Sequence, residues 1–351
     1  MLNMVIEMLS GTRYAARWRR LPLSMRAGSY GAKAATFQRC RGMFSFVNNA
    51  DQERVDLVSR SREALRQLGK HDDLVTLHLP FSPSSSRAGD ILTRLPLGLE
   101  TLQQTALLEV HNPSARNALS GKMMAQLADI VSVLEDPQVH QKLNTVVLKG
   151  TGGWFCAGAD LRVAQQKLNS REAGAAMGTL MVDTLTRFRR LPLMSVAIIE
   201  GGTIGGGAEL ATACDFRVME KNSVIQFVQS RMGVVPGWGG GARLYKIVGR
   251  QNALRLLCTA EKISPERAME LKLADDVFSA ASEEDLNSAI SAFVEPFDGV
   301  ATPVSHGAKR VINNADDVSV DVLEYEHDVF KTLWGGPANL EALKKALAKK
   351  K

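Results

Sequence analysis

Short apolar runs alternate with amphipathic stretches through the middle of this 351-residue chain. Runs rich in Val, Leu and Ile predict strands at Ala106–Val110, Asn144–Leu148 and Met194–Ile199. Between them, apolar positions at helical spacing predict helices at Gly121–Leu134 and Gly174–Arg190. This regular alternation of strand and helix predicts an α/β core in which much of the sheet is parallel.

The pattern changes on both sides of this core. Helical spacing predicts an accessory helix over Asp51–Lys70, and the Ser/Pro-rich stretch Pro80–Gly89 predicts a linker. Later segments are predominantly helical. The helices predicted at Pro265–Leu273 and Val320–Leu333 could pack on the core or on a neighbouring subunit, whereas the Ala/Leu/Lys helix at Leu340–Lys351 is expected to be a solvated end. The predicted organisation is a leader at 1–45, an accessory helix and linker at 46–89, an α/β core at 90–264 and a helical C-terminal region at 265–351.

Charge is distributed unevenly along the chain. The formal net charge is +6, yet no acidic residue lies between Glu7 and Asp51, and without the first 45 residues the net charge is about −1. An Arg-rich, acid-poor start is typical of a mitochondrial targeting segment; a basic tail on a cytoplasmic protein is the alternative. Because the rest is nearly neutral, no nucleic-acid partner is expected. No run approaches the roughly 20 apolar residues of a membrane span, so no membrane partner is expected.

Cysteine and histidine usage gives no sign of a metal site. The four cysteines are far apart in sequence, and neither they nor the six histidines show paired metal-ligand spacing. We therefore expect a reducing compartment and no structural metal.

Three glycine-rich segments follow or precede predicted elements. Gly152–Leu161 follows one strand, Glu200–Asp215 follows another and begins a helix near Gly206, and Gly233–Gly241 precedes a helix at Ala242–Val248. Glycine adopts backbone angles that aim N–H groups into a cleft, and the first N–H groups of a helix lack intrahelical acceptors. The segments do not fit the dinucleotide pattern G-x-G-x-x-G, which disfavours that site. They predict an anion-stabilising cleft, unless they serve only as turns.

Five motifs together resemble one known family. From about residue 90 onward, HNPSARNALS, FCAGADL, GGTIGGGAEL, ACDFRV and GVVPGWGGGARL occur in the order found in the crotonase (enoyl-CoA hydratase/isomerase) family. The resemblance implies a crotonase-like ββα spiral core with a helical C-terminal oligomerisation region. It also implies an acyl-CoA substrate, no cofactor beyond the coenzyme A carried by that substrate, and assembly as a homotrimer or a dimer of trimers.

The resemblance also implies roles for particular residues. The family holds the thioester oxygen between two backbone N–H groups, which correspond here to Ala159 and Gly206. Glu209 stands at the first of two positions where hydratases carry a catalytic glutamate, and Gln229 stands at the second. The implied substrate- and coenzyme A-binding residues are Arg116, Ala118, Ala157, Asp160, Leu161, Arg162, Gly205, Pro236 and Gly237.

Glutamine at position 229 bears on the reaction. Its amide cannot exchange the proton that activates water at neutral pH, so hydration by two glutamates is disfavoured. The segments Thr184–Gly201, Gly205–Met219 and Ile225–Gly240 resemble family members that decarboxylate a short 2-alkylmalonyl-CoA, such as ethylmalonyl-CoA or methylmalonyl-CoA. One alternative is an enoyl-CoA hydratase/isomerase of fatty acid metabolism, and another is a CoA-binding assembly protein with little turnover.

Decarboxylation places a constraint on Glu209. If ionised about 4 Å from a substrate carboxylate, it would repel that group by roughly 4 kcal/mol at an effective dielectric constant of about 20. We therefore expect Glu209 to be protonated or to face away, and to protonate or orient the α carbon. Gln229 could hydrogen-bond the substrate carboxylate, and Arg231 either offsets its charge or is only solvated.

Overall fold

A seven-stranded sheet lies at the centre of the computed structural model, which describes residues 52–82, 91–167, 170–315, 327, 330–331 and 333–348. The predicted leader 1–45, most of the predicted linker and most of the predicted helix Val320–Leu333 lie outside these residues. No helix in the described ranges is both long enough and apolar enough to cross a membrane.

The strands are β1 (Leu74–Leu79), β2 (Leu92–Arg94), β3 (Thr105–His111), β4 (Thr145–Gly150), β5 (Met194–Ile199), β6 (Gly202–Ile204), β7 (Phe216–Glu220), β8 (Val224–Gln226) and β9 (Asp276–Phe278). The helices are α1 (52–66), α2 (Gly121–Leu134), α3 (Pro137–His140), α4 (Leu161–Lys167), α5 (Arg171–Arg190), α6 (Gly206–Ala211), α7 (Gly240–Thr259), α8 (Pro265–Glu270), α9 (Glu283–Asp298), α10 (Thr302–Ala315) and α11 (Pro337–Ala348).

The sheet has the strand order β2-β1-β3-β4-β5-β7-β9. All neighbouring strands are parallel except β1 and β3, which are antiparallel. A second, two-stranded parallel sheet pairs β6 with β8. Consecutive elements therefore form ββα units, β5-β6-α6 and β7-β8-α7, and the predicted α/β class with a parallel-rich sheet is confirmed.

Both faces of the sheet are covered, so the central strands are apolar on both sides. On β4, Val146 and Leu148 join the larger core under α2 and α5, while Val147 joins a second core with residues of α9. Serine side chains cap the covering helices: the Ser120 side chain accepts from the N–H of Met123 at the start of α2.

The sheet extends beyond the predicted core at 90–264 in both directions. Strand β1 pairs with β3 through Leu77 and Leu108, although it precedes the predicted start of the core. Its side chains alternate between buried and partly exposed, as expected of a strand with one face in the core. Its partner β3, however, follows the Ser/Pro-rich stretch in sequence. Strand β9, within the predicted helical C-terminal region, pairs with β7 through Asp276 and Val218. Three residues are too short to show a strand period in sequence.

Candidate active site

The loops after β4 and β5 meet beyond the carboxyl ends of these parallel strands. The Cys156 N–H donates to the Gly202 carbonyl (3.2 Å), and the Ile204 N–H donates to the Cys156 carbonyl (2.9 Å). Gly158 has φ +89°, and a Cβ added there would lie 2.8 Å from the Gly206 nitrogen. The first two glycine-rich segments of the sequence therefore come into direct contact.

The backbone of Ala159 is oriented by its neighbours. The Leu119 N–H donates to the Gly158 carbonyl (2.7 Å), and the Asp160 N–H donates to the Leu119 carbonyl (2.9 Å). In such a bridge, the N–H of the intervening residue points to the opposite side, so the Ala159 N–H points away from Leu119. The Gly206 N–H belongs to the first turn of α6, where backbone donors have no acceptor within the helix. Both residues line the same pocket.

This pocket is small, about 90 Å³, and mostly apolar in its lining. Glu209 is its only ionisable residue among the described lining residues. The described part of the chain brings together no group of three His, Cys, Asp or Glu side chains suited to a metal ion. The described lining residues are Ala157, Ala159, Leu161, Met177, Gly205, Gly206, Glu209, Val228, Gln229, Met232, Val234, Val235, Gly237, Trp238, Phe330, Trp334, Asn339 and Leu343.

The Glu209 carboxylate is held by four N–H donors. Its Oε1 accepts from the Gln229 side-chain amide (2.9 Å) and from the Gly237 N–H (3.3 Å). Its Oε2 accepts from the N–H groups of Trp238 (2.7 Å) and Gly240 (3.0 Å). Three of the four donors are backbone N–H groups of the third glycine-rich segment. We call Glu209 and its four donor residues, Gln229, Gly237, Trp238 and Gly240, the carboxylate cluster.

Opposing influences act on the pKa of Glu209. Burial, the largest influence, raises the pKa above its usual value because it penalises the charged form. The Trp238 N–H, the Gln229 amide and the Arg243 guanidinium favour the charged form and act in the other direction. The net effect is a raised pKa, so Glu209 keeps its proton to a higher pH than a solvent-exposed glutamate.

Gln229 makes only part of the hydrogen bonding that its amide allows. The side chain is 7% exposed, and its Nε2 donates to Glu209. Its Oε1 is buried and accepts no hydrogen bond from any described residue. A rotation of the amide by half a turn would bring Oε1 to Glu209 as an acceptor, so a glutamine can serve either the charged or the protonated form of the carboxyl group.

Some of the residues predicted to bind substrate or coenzyme A lie at the pocket and some do not. Ala157, Leu161, Gly205 and Gly237 line it. The predicted binding residues absent from its described lining are Arg116, Ala118, Asp160, Arg162 and Pro236.

Two of the residues outside the pocket, Arg116 and Arg162, are exposed arginines near the loop after β4. The Arg116 guanidinium lies 4.8 Å from the ring centre of Trp154, and its carbonyl accepts from the Ala157 N–H (3.0 Å). The Asp160 carboxylate accepts from the Arg162 N–H (2.8 Å) at the start of α4. These contacts place both arginines beside the loop that carries Ala159.

The suggested role of Arg231 does not fit its position. Arg231 Nη2 donates to the Ala260 carbonyl (2.8 Å), and the residue is absent from the described lining of the pocket. Its exposed position and its carbonyl partner favour a structural role, in which it links the segment after β8 to the end of α7.

The C-terminal region contributes pocket residues that no sequence pattern indicated, and the expectation of a solvated tail is wrong for Leu343, which is buried at the pocket. Phe330, Trp334, Asn339 and Leu343 all line the pocket. The Asn339 side chain accepts from the Gly335 N–H (3.0 Å) and donates to the Met232 carbonyl (3.0 Å), which anchors this region beside the pocket. Two aromatic residues four apart ordinarily indicate the buried face of a helix, so their sequence pattern does not reveal a binding role.

Comparison with known proteins gives consistent results. The family described as "Enoyl-CoA hydratase/isomerase" matches residues 100–345. A Danio rerio protein named "Ethylmalonyl-CoA decarboxylase" is 45% identical over 70% of this chain and 82% of its own length. A Mus musculus protein of the same name is 40% identical over 73% of this chain and 80% of its own. A crystal structure of an enoyl-CoA hydratase from Mycobacterium avium subsp. paratuberculosis covers 69% of this chain and 95% of its own, with a TM-score of 0.61 and 20% identity.

Proposed function

Because the chain belongs to the enoyl-CoA hydratase/isomerase family, we propose that it is a carboxy-lyase that removes the carboxylate of a short 2-alkylmalonyl-CoA, such as ethylmalonyl-CoA or methylmalonyl-CoA, as CO₂. The names of the similar Danio rerio and Mus musculus proteins support this choice of substrate. The structural observation that carries the proposal is the hydrogen bond between Gln229 and Glu209.

Because residue 229 is a glutamine, Glu209 is the only carboxyl group among the described residues of the pocket lining. Hydration by two carboxyl groups needs one to take a proton from water and one to give a proton to carbon. The Gln229 amide does neither, and its Nε2 lies 2.9 Å from Glu209 Oε1. Glu209 is thus held by an amide where the hydratases carry a second acid or base, which disfavours water activation.

Ala159 and Gly206 supply the stabilisation of charge in this mechanism. In this proposal the thioester oxygen lies between their N–H groups, and the position of both residues in the pocket lining supports that arrangement. When the carboxylate leaves as CO₂, its charge passes into the thioester enolate and onto that oxygen. Donors positioned in advance stabilise this charge more than they stabilise the neutral thioester, which lowers the barrier.

Glu209 supplies the proton that completes the reaction. Its protonated carboxyl group donates to the α carbon of the enolate, which yields the saturated acyl-CoA and an ionised Glu209 that takes up a proton from solvent. Burial raises the pKa of Glu209, which favours the acid form needed for this step and reduces repulsion of the incoming substrate carboxylate.

The apolar lining supports loss of CO₂ without a separate cofactor. A localised carboxylate loses more hydration in an apolar pocket than the spread charge of the enolate, so the site favours conversion of one into the other. The thioester itself accepts the electron pair of the broken bond. We therefore propose that the only coenzyme is the coenzyme A of the substrate.

The test is a comparison of three substrates. The purified protein is incubated separately with ethylmalonyl-CoA, methylmalonyl-CoA and crotonyl-CoA, and CO₂ and acyl-CoA products are followed by mass spectrometry. Release of CO₂ with butyryl-CoA or propionyl-CoA supports the proposal. Hydration or isomerisation alone overturns it in favour of a hydratase/isomerase with Glu209 as the single acid and base, and inactivity on all three favours a CoA-binding assembly protein.

Assembly and location form a further part of the proposal. Helix α10 turns Ser305, His306 and Lys309 inward while Val311 and Ile312 are more than 60% exposed, an apolar outer face that suits a subunit contact. We propose a homotrimer or a dimer of trimers, tested by light scattering of the purified protein.

The Arg-rich segment at 1–45 supports a mitochondrial location over a cytoplasmic one. The test is to image the full-length chain and a chain that lacks this segment.

A further inference from the structure

Two aromatic rings close one side of the pocket. Phe330 and Trp334, which we call the aromatic wall, pack with ring centres 5.2 Å apart. They are 3% and 7% exposed, and both line the pocket that also contains Ala159 and Gly206. The wall thus faces the region where the acyl group of a bound thioester would lie.

Each ring of the wall lies against a glycine. A Cβ added to Gly237 would be 2.4 Å from Phe330 Cδ2, and a Cβ added to Gly174 would be 1.8 Å from Trp334 Cδ1. The two rings can approach the backbone at these positions only because neither glycine has a side chain. The Gly237 N–H also lies 3.3 Å from Glu209 Oε1, so the backbone that supports Phe330 is part of the carboxylate cluster. Phe330 therefore packs directly against the backbone that holds the Glu209 carboxylate.

The wall differs from the third aromatic residue of the pocket. Trp238 donates its backbone N–H to Glu209, and its ring occupies the space where a Cβ of Gly206 would lie, 2.5 Å away. A change of Trp238 would therefore disturb the proposed chemistry. The described donors to the Glu209 carboxylate are Gln229, Gly237, Trp238 and Gly240. A change of Phe330 or Trp334 should therefore alter the size of the pocket and leave the carboxylate cluster in place.

We infer that Phe330 and Trp334 determine which alkyl substituent on the α carbon the enzyme accepts. This inference rests on the proposed decarboxylation. The substituent packs against the two rings, and the wall stops chains longer than the short ones from fitting while the thioester oxygen reaches Ala159 and Gly206. One methylene in an apolar pocket typically changes kcat/KM by about 10- to 200-fold, so a wall of this kind suffices for selection.

The test compares malonyl-CoA thioesters with methyl, ethyl, propyl and butyl substituents. For the wild type, kcat/KM should be at least about 10-fold higher for the ethyl than for the butyl substrate. In Phe330→Leu and Trp334→Leu this ratio should fall by about 10-fold or more, because the smaller side chain leaves room. Leucine keeps the positions apolar, and thermal unfolding checks that each variant remains folded despite the smaller side chain. Leu333→Ala, at a neighbouring exposed position, is the matched control and should leave the ratio unchanged. An unchanged ratio in both folded wall variants overturns the inference.

A binding measurement separates this inference from the proposed reaction. The saturated products of the four substrates, which are propionyl-CoA, butyryl-CoA, pentanoyl-CoA and hexanoyl-CoA, are titrated into the same proteins by calorimetry. A wild type that releases no CO₂ from any substrate can still bind butyryl-CoA better than hexanoyl-CoA. If the wall variants then lose that preference, the decarboxylase proposal fails and the wall inference stands. If no protein distinguishes the thioesters, the wall inference fails whatever the reaction.

Discussion

The two sides of the pocket are built in different ways. On one side, Ala159 and Gly206 present backbone N–H groups from loops that two interstrand hydrogen bonds tie together. On the other, Phe330 and Trp334 present side chains from a segment more than 100 residues later in the chain. The first side depends on backbone geometry, and the second depends on side-chain volume.

This difference predicts which changes affect chemistry and which affect selectivity. A backbone donor is lost only when its loop moves, so we expect a change at the first side to lower the rate for every substrate. Side-chain volume can change without moving the backbone, so we expect a change at the second side to alter the order of preference among substrates. The carboxylate cluster lies between the two sides and should couple to both.

The largest effect is expected for Glu209→Gln. The variant keeps the shape of the side chain but removes the proposed proton donor, and its NH₂ group would face N–H donors such as that of Trp238. Loss of a general acid typically costs about 10²- to 10⁴-fold, so kcat should fall within that range for all substituents. Steady-state kinetics measures this, with Glu220→Gln, a buried glutamate outside the described pocket lining, as the matched control. A fall of less than threefold would remove Glu209 from the chemistry.

The pH dependence of kcat should follow the titration of Glu209. Because burial raises the pKa of Glu209, kcat should be highest when the group is protonated and should decline as pH rises through the raised pKa. By the same linkage, Glu209 stabilises the fold fully below its unfolded pKa of about 4.5, and that contribution is lost as pH rises through the folded pKa. A pH–rate profile of the wild type should show this decline, and a profile that rises with pH would contradict it.

A large fall in kcat is also expected for Gly206→Ala, through the loss of one N–H donor to the thioester oxygen. The added Cβ would lie 2.5 Å from the Trp238 ring, so the start of α6 or the ring must move. A displaced donor should lower kcat by about 10²- to 10³-fold, with the ethyl-to-butyl preference retained. The matched control is Gly307→Ala in α10, where an added Cβ meets nothing within 4 Å. Near-wild-type kcat in folded Gly206→Ala would show that this N–H is not a donor to the substrate.

The smallest effect is expected for Arg116→Ala. Its guanidinium stacks on Trp154 at the surface, outside the described pocket lining, and should contact only the phosphates of coenzyme A. We expect KM to rise a few-fold with kcat unchanged, and the difference to shrink at high salt because exposed charges are screened. Arg267→Ala, on α8, is the control. If kcat falls and KM stays constant, Arg116 acts on the reacting geometry instead.

The sequence predicted the first side of the pocket far better than the second. Strand β5 and helix α2 were predicted with the bounds that the structure shows, because their periodicity is local. The segments that carry Ala159, Gly206 and Glu209 were recognisable because glycine spacing reflects local backbone geometry. Strand β1 lies outside the predicted core, because its partner β3 follows the Ser/Pro-rich stretch and the pairing of the two depends on tertiary structure.

Contacts between residues far apart in sequence explain the remaining differences between the predicted and the observed structure. The predicted helix Ala242–Val248 continues to Thr259 past a non-helical Gly249 with φ +75°, a change of direction that only the packed structure specifies. Phe330 and Trp334 become pocket residues because Gly237 and Gly174 leave space for them, and no local pattern links these pairs. The hydrogen bond from Gln229 to Glu209 likewise joins residues 20 positions apart.

We propose that the amide at position 229 commits the site to decarboxylation. The most direct measurement compares the wild type with Gln229→Glu on ethylmalonyl-CoA and on crotonyl-CoA, with CO₂ release and hydration followed in parallel. We expect the wild type to release CO₂ without measurable hydration. We also expect Gln229→Glu to shift the ratio of the two rates towards hydration by at least about 10-fold, because a second carboxyl group can exchange protons with water. A wild type that hydrates crotonyl-CoA and releases no CO₂, or a ratio that the substitution leaves unchanged, would contradict it.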